Sequence, residues 1–358
     1  MNLEFPRRTL LGAAAASAVV PGTVSAAAPR RGRGRKGSED LPVIDVHAHS
    51  LAAPWVEALQ AAGIMSPDRR IAGGAAFQPW SPELAVETMD RHGIASSILS
   101  MPMSVGFAGA AGPALARKVN EFHAEARLRH PGRFGAFAIL PSDIDAAIEE
   151  TVYALDVLKL DGIGTFTNVG GTYLGDPGFD TWFSEMNRRH AVLFVHPAAP
   201  AKWVDLGFHI SIVEFMAEST RMLTNLVFSG RRKMFPDIRI ISTHGGGTIP
   251  YLAQRIGWLG TQFGPGPDRT PLTEAEIHAG LASFYYDLTA STSGAQLDAL
   301  LRLVPHTQLL VGNDLPIMSE KWVDVSRNQL AEYDGLTGDQ LGAIFSANAK
   351  RLFPLLRG

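Results

Sequence analysis

The sequence Pro42-Val43-Ile44-Asp45-Val46-His47-Ala48-His49-Ser50 joins a short apolar run to two histidines that are two residues apart. Side chains alternate between the two faces of a β-strand, so His47 and His49 are predicted to point to one side, with Asp45 behind them. Two imidazoles on one face at the end of a strand supply half of a metal site if later parts of the chain supply the other ligands. Without such partners, the same pattern describes two polar residues where a loop begins.

Length and composition limit the classes of protein to which the chain can belong. Its 358 residues fit one large α/β barrel or two medium domains, since such barrels commonly have about 250 residues or more. Cysteine is absent, which leaves histidine and carboxylates to bind a metal. Residues 1–40 contain seven of the 32 Lys and Arg and three of the 35 Asp and Glu, so the remaining chain has a formal net charge of −7. This charge argues against nucleic acid as a partner.

The amino terminus has the composition of a targeting segment. Arg7 and Arg8 precede the mildly hydrophobic stretch 13–20, and small residues follow at 24–28. This arrangement resembles a twin-arginine export signal, although Pro6 occupies the position where serine is usual. We therefore predict a signal peptide over 1–28, a basic linker over 29–41 and export to the periplasm or the outside. After signal removal no membrane anchor is expected, since no apolar run reaches the roughly 18 residues that spanning a bilayer requires.

The rest of the chain, 42–358, alternates short apolar runs with helical patterns. After the first strand we predict a long loop over 51–78, and then seven more strands separated by helices. These seven are predicted at 95–100, 134–140, 162–167, 191–196, 238–244, 284–288 and 308–311. The buried strands lack a polar alternate face, as in parallel sheets covered on both sides. Eight such units predict a (β/α)8 barrel; a doubly wound open sheet is the competing interpretation.

Polar side chains follow four of the predicted strands. Besides His47 and His49, His196 and His244 each end a strand, and Asp314 follows the last one. In a barrel the carboxyl ends of all strands meet at one mouth, so these residues are expected to become neighbours. Histidines and one carboxylate suit a divalent metal such as Zn²⁺ and leave positions open for water or substrate. The alternative is a set of unrelated loop residues.

Four other histidines, His92, His123, His130 and His190, lie on or near predicted helix ends. We expect them to be solvated or to cap those helices. His209, His278 and His306 have no partner at a strand end and are not assigned a function.

Four segments together resemble the aminocarboxymuconate-semialdehyde decarboxylase family, a branch of the amidohydrolase superfamily that includes γ-resorcylate and 6-methylsalicylate decarboxylases. These segments are Asp45-Val46-His47-Ala48-His49, Phe194-Val195-His196-Pro197, Thr243-His244-Gly245-Gly246-Gly247 and Gly312-Asn313-Asp314-Leu315-Pro316. The resemblance covers roughly residues 42–355. It implies that His47, His49, His196 and Asp314 bind one metal, most readily Zn²⁺ with Mn²⁺ as a second choice. It also implies that His244 is an uncoordinated acid or base.

Two departures from the family pattern narrow the expected chemistry. Superfamily hydrolases with two metals use a carboxylated lysine at the end of the fourth strand, and the stretch 162–167 contains none, so a single metal is favoured. The aminocarboxymuconate enzymes have an arginine just before the segment that begins at Trp80, and this chain has none there. Arg255 matches a second family arginine, which is given across a dimer interface. An aromatic monocarboxylate is therefore favoured over a dicarboxylate, with Trp80 and Trp203 as candidate ring contacts.

The predicted function is non-oxidative decarboxylation of a hydroxylated, salicylate-type aromatic acid, with His244 or Asp314 as proton donor. A hydrolase of a cyclic ester or amide that uses the same metal site is the alternative. A third interpretation is an exported barrel that only binds a ligand. The resemblance also implies a homodimer or a higher homo-oligomer.

Overall fold

The computed structural model describes residues 41–71, 76–264 and 271–356. The predicted signal peptide and all but the last residue of the predicted linker lie outside these ranges. Within the described residues no helix is both long and apolar enough to cross a membrane.

Eight parallel strands form the centre of the fold. They are β1 (Val43–His49), β2 (Ile94–Ser100), β3 (Phe134–Ile139), β4 (Gly162–Phe166), β5 (Val192–His196), β6 (Arg239–Ser242), β7 (Tyr285–Asp287) and β8 (Leu309–Leu310). Each strand is hydrogen-bonded to the next in chain order. Parallel bridges from Asp45 to Val311 and from Ala48 to Leu315 join the first strand to the segment after the last. The predicted (β/α)8 barrel is confirmed, since an open doubly wound sheet would not bring β1 and β8 together.

Helices surround the strands. The α-helices are Ala53–Ala61, Pro82–Arg91, Gly112–Arg129, Ile144–Val152, Asp180–Arg188, Glu214–Phe228, Arg231–Met234, Ile249–Phe263, Glu274–Leu281, Gly294–Leu303, Lys321–Glu332, Gly338–Gly342 and Asn348–Leu352. Two π-helical segments, Tyr153–Val157 and Ala343–Ala347, extend their neighbours. Short 3₁₀ segments lie at Gly106–Ala111, Pro177–Phe179, Ile210–Ile212, His244–Gly246 and His306–Gln308, and a small hairpin pairs Asn168–Val169 with Thr172–Tyr173.

The prediction of one long loop over 51–78 was wrong in its first part. Residues Ala53–Ala61 form a helix that buries Trp55 and Leu59 completely. The residue before this helix, Ala52, has no side chain that could accept a capping hydrogen bond, so the usual sequence signal for a helix start is missing. Burial of the apolar face therefore stabilises the helix in place of a cap.

An apolar cluster fills the lower half of the barrel, where the strands begin. The residues that point inward from the strands are Ile44, Val46, Ile98, Phe137, Val192, Phe194, Ile241 and Leu310. The carboxyl-terminal segment closes this end with Ala349, Leu352, Phe353 and Leu356. The Phe353 ring lies 5.7 Å from the Phe137 ring, which in turn stacks on Phe194 at 4.8 Å. The amino-terminal end of the barrel is thus closed, and access is left to the opposite end.

Candidate metal centre

Four polar side chains converge at the carboxyl ends of the strands. They belong to His47, His49, His196 and Asp314, all of them buried, and one ligand atom from each lies within 4.8 Å of the others. Two strands, β1 and β5, supply the three histidines, and the segment after β8 supplies the carboxylate. The structure therefore brings together all four residues that the resemblance implies as metal ligands.

The ring of His47 is held by hydrogen bonds on its Nδ1 side. Nδ1 lies 2.9 Å from Asp287 Oδ2 and 3.1 Å from Thr289 Oγ1. The other oxygen of Asp287 accepts hydrogen bonds from the backbone N–H groups of His244 and Thr289, both at 3.0 Å. An Nδ1–H that donates to a carboxylate leaves the Nε2 lone pair free for a metal.

The other two histidines are oriented in the same way. His49 Nδ1 lies 2.9 Å from Ser100 Oγ, and His196 Nδ1 lies 2.9 Å from the Pro197 carbonyl oxygen. The carbonyl can only accept, so His196 carries its proton on Nδ1. In all three histidines the partner lies at Nδ1, so all three Nε2 atoms are left for a ligand.

The donor set fits a cation. His47 Nε2 and His49 Nε2 lie 3.3 Å apart, and Asp314 Oδ1 lies 2.9 Å from His49 Nε2 and 3.5 Å from His47 Nε2. Asp314 Oδ1 is buried and accepts no hydrogen bond. With the protons on Nδ1, these contacts place lone pair against lone pair, an arrangement that a positive ion between them makes favourable.

Electrostatics at His196 and Asp314 favour the protonation states that bind a metal. Burial, followed by the neighbouring imidazoles of His49 and His47, lowers the pKa of His196 well below its ordinary value. Burial alone would raise the pKa of Asp314, but the surrounding histidines hold it well below its usual range. A neutral imidazole and an ionised carboxylate are the forms that bind a divalent metal.

His244 lies beside the four residues and has a different environment. It follows β6 at the start of a 3₁₀ turn, with a positive φ of 54°. Its Nε2 lies 3.8 Å from Asp314 Oδ2, and its buried Nδ1 has no hydrogen-bond partner. The next three residues, Gly245 to Gly247, also have positive φ, and a Cβ on Gly247 would collide with the Met216 backbone. The glycines therefore let the chain turn sharply and hold His244 facing the metal ligands.

The three expected substrate contacts differ in their surroundings. Trp80 is half-buried and packs 6.2 Å from the Phe122 ring, whereas Trp203 and Arg255 are exposed. Among the described residues, no hydrogen bond or ring contact joins any of these three to the four-residue group.

The structure also shows site residues that the sequence interpretation missed. Asp287 and Ser100 orient two ligands, and each lies at the last position of a strand, which is the signal that could have identified them. Phe166 and Phe215 flank the His196 ring at 6.2 and 6.0 Å between centroids. These rings give the mouth an apolar wall beside the polar group.

One prediction about the remaining histidines was wrong. His123 is fully buried within the helix Gly112–Arg129, and its Nε2 lies 2.5 Å from Ser50 Oγ. His92 does lie at a helix end, where it bridges Glu320 and Asp324 at 3.1 Å each. The position of His123 in a predicted helix gave no indication that its side chain faces the barrel.

Comparison with known proteins agrees with this site. A family model described as amidohydrolase matches residues 44–355. The chain is 32% identical over 331 residues to decarboxylase yanB from Aspergillus niger, with 87% of each protein covered. It is 31% identical over 328 residues to the 6-methylsalicylic acid decarboxylase acuB from Aspergillus aculeatus, with 88% of this chain and 96% of the relative covered.

A solved structure shares the architecture. Dihydroxybenzoic acid decarboxylase from Polaromonas sp. JS666, crystallised with manganese and 2-nitroresorcinol, is 21% identical with a TM-score of 0.70; the match covers 88% of this chain and 98% of that one. The family match extends over nearly all of the barrel and over every residue of the four-residue group. The chain belongs to the amidohydrolase family.

Proposed function

We propose that this protein catalyses the metal-dependent, non-oxidative decarboxylation of a hydroxylated aromatic carboxylic acid. The observation that carries the proposal is the buried group of three histidines and one carboxylate. The named relatives, which this chain matches over most of their length, are decarboxylases. The names of those relatives support a salicylate-type substrate, with a hydroxyl next to the carboxylate.

His47, His49, His196 and Asp314 would hold the metal, and we propose Zn²⁺, with Mn²⁺ as the alternative. Three imidazoles and a carboxylate are typical of Zn²⁺, whereas manganese was present in the Polaromonas enzyme. When bound, the metal would supply positive charge that neutralises the negative charge on the substrate's oxygen atoms and draws electron density from the ring.

His244 and Asp314 are the groups that can move a proton. His244 Nε2 lies 3.8 Å from Asp314 Oδ2, and we assign the transferred proton to one of these two groups. Transfer of this proton to the ring carbon that bears the carboxylate forms a C–H bond. The bond to the carboxylate carbon then breaks, its electron pair returns to the ring, and CO₂ leaves.

Apolar side chains would orient the ring and exclude water. Phe166 and Phe215 already flank His196 at the mouth. Trp80 and Trp203 remain proposed ring contacts, and Arg255 a proposed carboxylate contact.

We also propose a homo-oligomer. The helix Ile249–Phe263 leaves Tyr251, Trp258 and Phe263 largely in solvent, at 84%, 57% and 73% exposure. Large apolar side chains on one exposed helix are typical of a subunit interface. Arg255 lies on the same helix, so this interface would place Arg255 against the second copy of the chain. Export through the twin-arginine signal remains our proposal for localisation.

Incubation of the Zn²⁺- or Mn²⁺-loaded protein with a panel of hydroxybenzoic acids tests the proposed reaction. We expect CO₂ release and the corresponding phenol from acids with an ortho hydroxyl, and no reaction with benzoic acid. If no member of the panel releases CO₂ and the protein instead hydrolyses a lactone to the free acid, the proposal is contradicted and the hydrolase is favoured.

The variant His244→Asn tests the proton step, because asparagine keeps the size and polarity of the side chain but cannot transfer a proton. We expect kcat to fall by about 10²- to 10⁴-fold with the metal content unchanged. A wild-type rate in this variant would leave Asp314 as the proton donor.

A further inference from the structure

The strand that carries His47 and His49 contains an irregularity at its functional end. Asp45 pairs with Ser97 on β2, but Ala48 pairs with Leu99, so three steps along β1 match two along β2. One extra residue in a strand defines a β-bulge, which bends the strand and re-aims its side chains.

The bulge changes which side chains face the barrel interior. Val46 belongs to the apolar cluster in the lower half, yet the next residue, His47, also points inward, with its ring 5.1 Å from the Phe194 ring. Neighbouring residues of a regular strand face opposite sides of the sheet. The bulge is therefore what allows Val46 to pack below and His47 to reach the metal group above.

Asp45 holds this bulge with its side chain. Its Oδ1 accepts a hydrogen bond from the His47 N–H at 2.9 Å and another from the Asn313 N–H at 3.1 Å. The side chain is completely buried, so the two hydrogen bonds form away from water. One oxygen thus joins the segment that carries two histidine ligands to the segment that carries Asp314.

The two joined segments approach very closely. The Asp314 N–H donates to the His47 carbonyl oxygen at 2.7 Å, and a Cβ on Gly312 would lie 2.8 Å from His47 Cβ. A small shift of either segment would change the separation of His47 Nε2 and Asp314 Oδ1, now 3.5 Å. Metal sites tolerate only small errors in the positions of their ligands.

We propose that Asp45 is a positioning residue for the metal centre: its carboxylate fixes the β-bulge that aims His47 and sets the distance from His47 to Asp314. The inference rests on the metal site of the proposed function, and it does not depend on which reaction that site catalyses. It predicts that the hydrogen-bond acceptor at position 45 determines metal affinity.

The test compares Asp45→Ala with Asp45→Asn, which keeps an acceptor oxygen at the same distance from the backbone. The dissociation constant for Zn²⁺ is measured by competition with a chromophoric chelator, without substrate, together with the number of imidazole ligands from X-ray absorption of the loaded protein. We expect Asp45→Ala to weaken Zn²⁺ binding by about 10- to 100-fold and to lower the imidazole count, and Asp45→Asn to stay within about threefold of the wild type.

Asp161→Ala is the matched control. Asp161 is also a buried carboxylate that accepts a strand N–H, from Ala136 at 2.8 Å, but it lies before β4 and away from the mouth. We expect this variant to be less stable to urea with unchanged Zn²⁺ affinity. Equal Zn²⁺ affinity in Asp45→Ala and the wild type, with an unchanged imidazole count, would overturn the inference.

If Asp45→Ala does not fold, Asp45→Glu decides the question. Glutamate keeps the carboxyl group but moves its oxygens by one methylene, so the inference requires at least tenfold weaker Zn²⁺ binding; wild-type affinity would overturn it. Failure of the wild type to release CO₂ would remove the proposed reaction and leave this result intact.

Discussion

The two ends of the barrel use the same eight strands in opposite ways. At the amino-terminal end the interior is apolar and is closed by Leu352, Phe353 and Leu356. At the carboxyl-terminal end the interior holds three histidines and a carboxylate, with Asp314 Oδ1 and His244 Nδ1 buried and without hydrogen-bond partners.

The difference shows how the fold separates stability from function. Burial of apolar side chains stabilises the lower half, whereas unpaired buried polar atoms destabilise the upper half until a ligand binds there. The upper half also contains backbone strain, because His244 and Asp314 have φ values of 54° and 57°. Substitutions at the two ends should therefore give separable effects on activity and stability.

The largest expected effect is loss of the metal. His196→Ala removes one of three imidazole ligands, and we expect substoichiometric metal and a fall in activity of about 10³-fold or more, since a bound metal supplies several kcal/mol of transition-state stabilisation. Metal content by mass spectrometry and CO₂ release measure the two effects. His209→Ala, at an exposed histidine in the following loop, should retain both; full activity in metal-free His196→Ala would contradict the assignment.

At the opposite end, Phe353→Ala should lower the free energy of unfolding by about 3–5 kcal/mol, because a completely buried ring is replaced by a cavity. Urea denaturation measures this change. Leu355→Ala removes a side chain that is 75% exposed and should change stability by no more than about 0.5 kcal/mol. The folded Phe353→Ala protein should bind metal as the wild type does, and a large loss of metal affinity would show that the two ends are coupled.

A smaller, pH-dependent effect is expected at His123, between the barrel and its helices. Burial lowers the pKa of His123 from 6.5 to about 4. Between these values the unfolded chain binds a proton that the native protein does not, so native stability falls as the pH drops through this window. The metal-free wild type should lose up to about 3 kcal/mol more than metal-free His123→Gln between pH 7 and pH 4. Urea denaturation at both pH values measures the free energy of unfolding of the two proteins. If both lose the same amount between pH 7 and pH 4, the assignment is refuted.

The smallest effect is expected at Ser100, whose hydroxyl orients His49 through Nδ1 at 2.9 Å. Ser100→Ala should weaken metal binding by about tenfold, the lower limit for loss of an outer partner of a metal ligand. Chelator competition measures the affinity, with Ser184→Ala on an exposed helix face as control. An unchanged affinity would mean that packing alone fixes the His49 ring.

Much of the site could be predicted from the sequence because each ligand lies at the end of a short apolar run. Strand ends are local features, and the rule that parallel strands in a barrel end at one mouth converts them into neighbours. The burial of His123 and the existence of the helix Ala53–Ala61 were not predicted, because both depend on packing partners far along the chain. Asp287 lay within the predicted strand 284–288, but its contact with His47 Nδ1 spans 240 residues.

The sequence by itself determined the alternation of strands and helices, the absence of thiolate ligands and the five polar residues at strand ends, of which the family resemblance implied four as metal ligands. These follow from local patterns and composition, which do not depend on packing. Only the tertiary structure decided the tautomers of the three histidines, the closure of the barrel between β1 and β8 and the bulge at Asp45. Each of these depends on hydrogen bonds between residues distant in sequence or on the register of neighbouring strands, and neither is encoded in a local pattern.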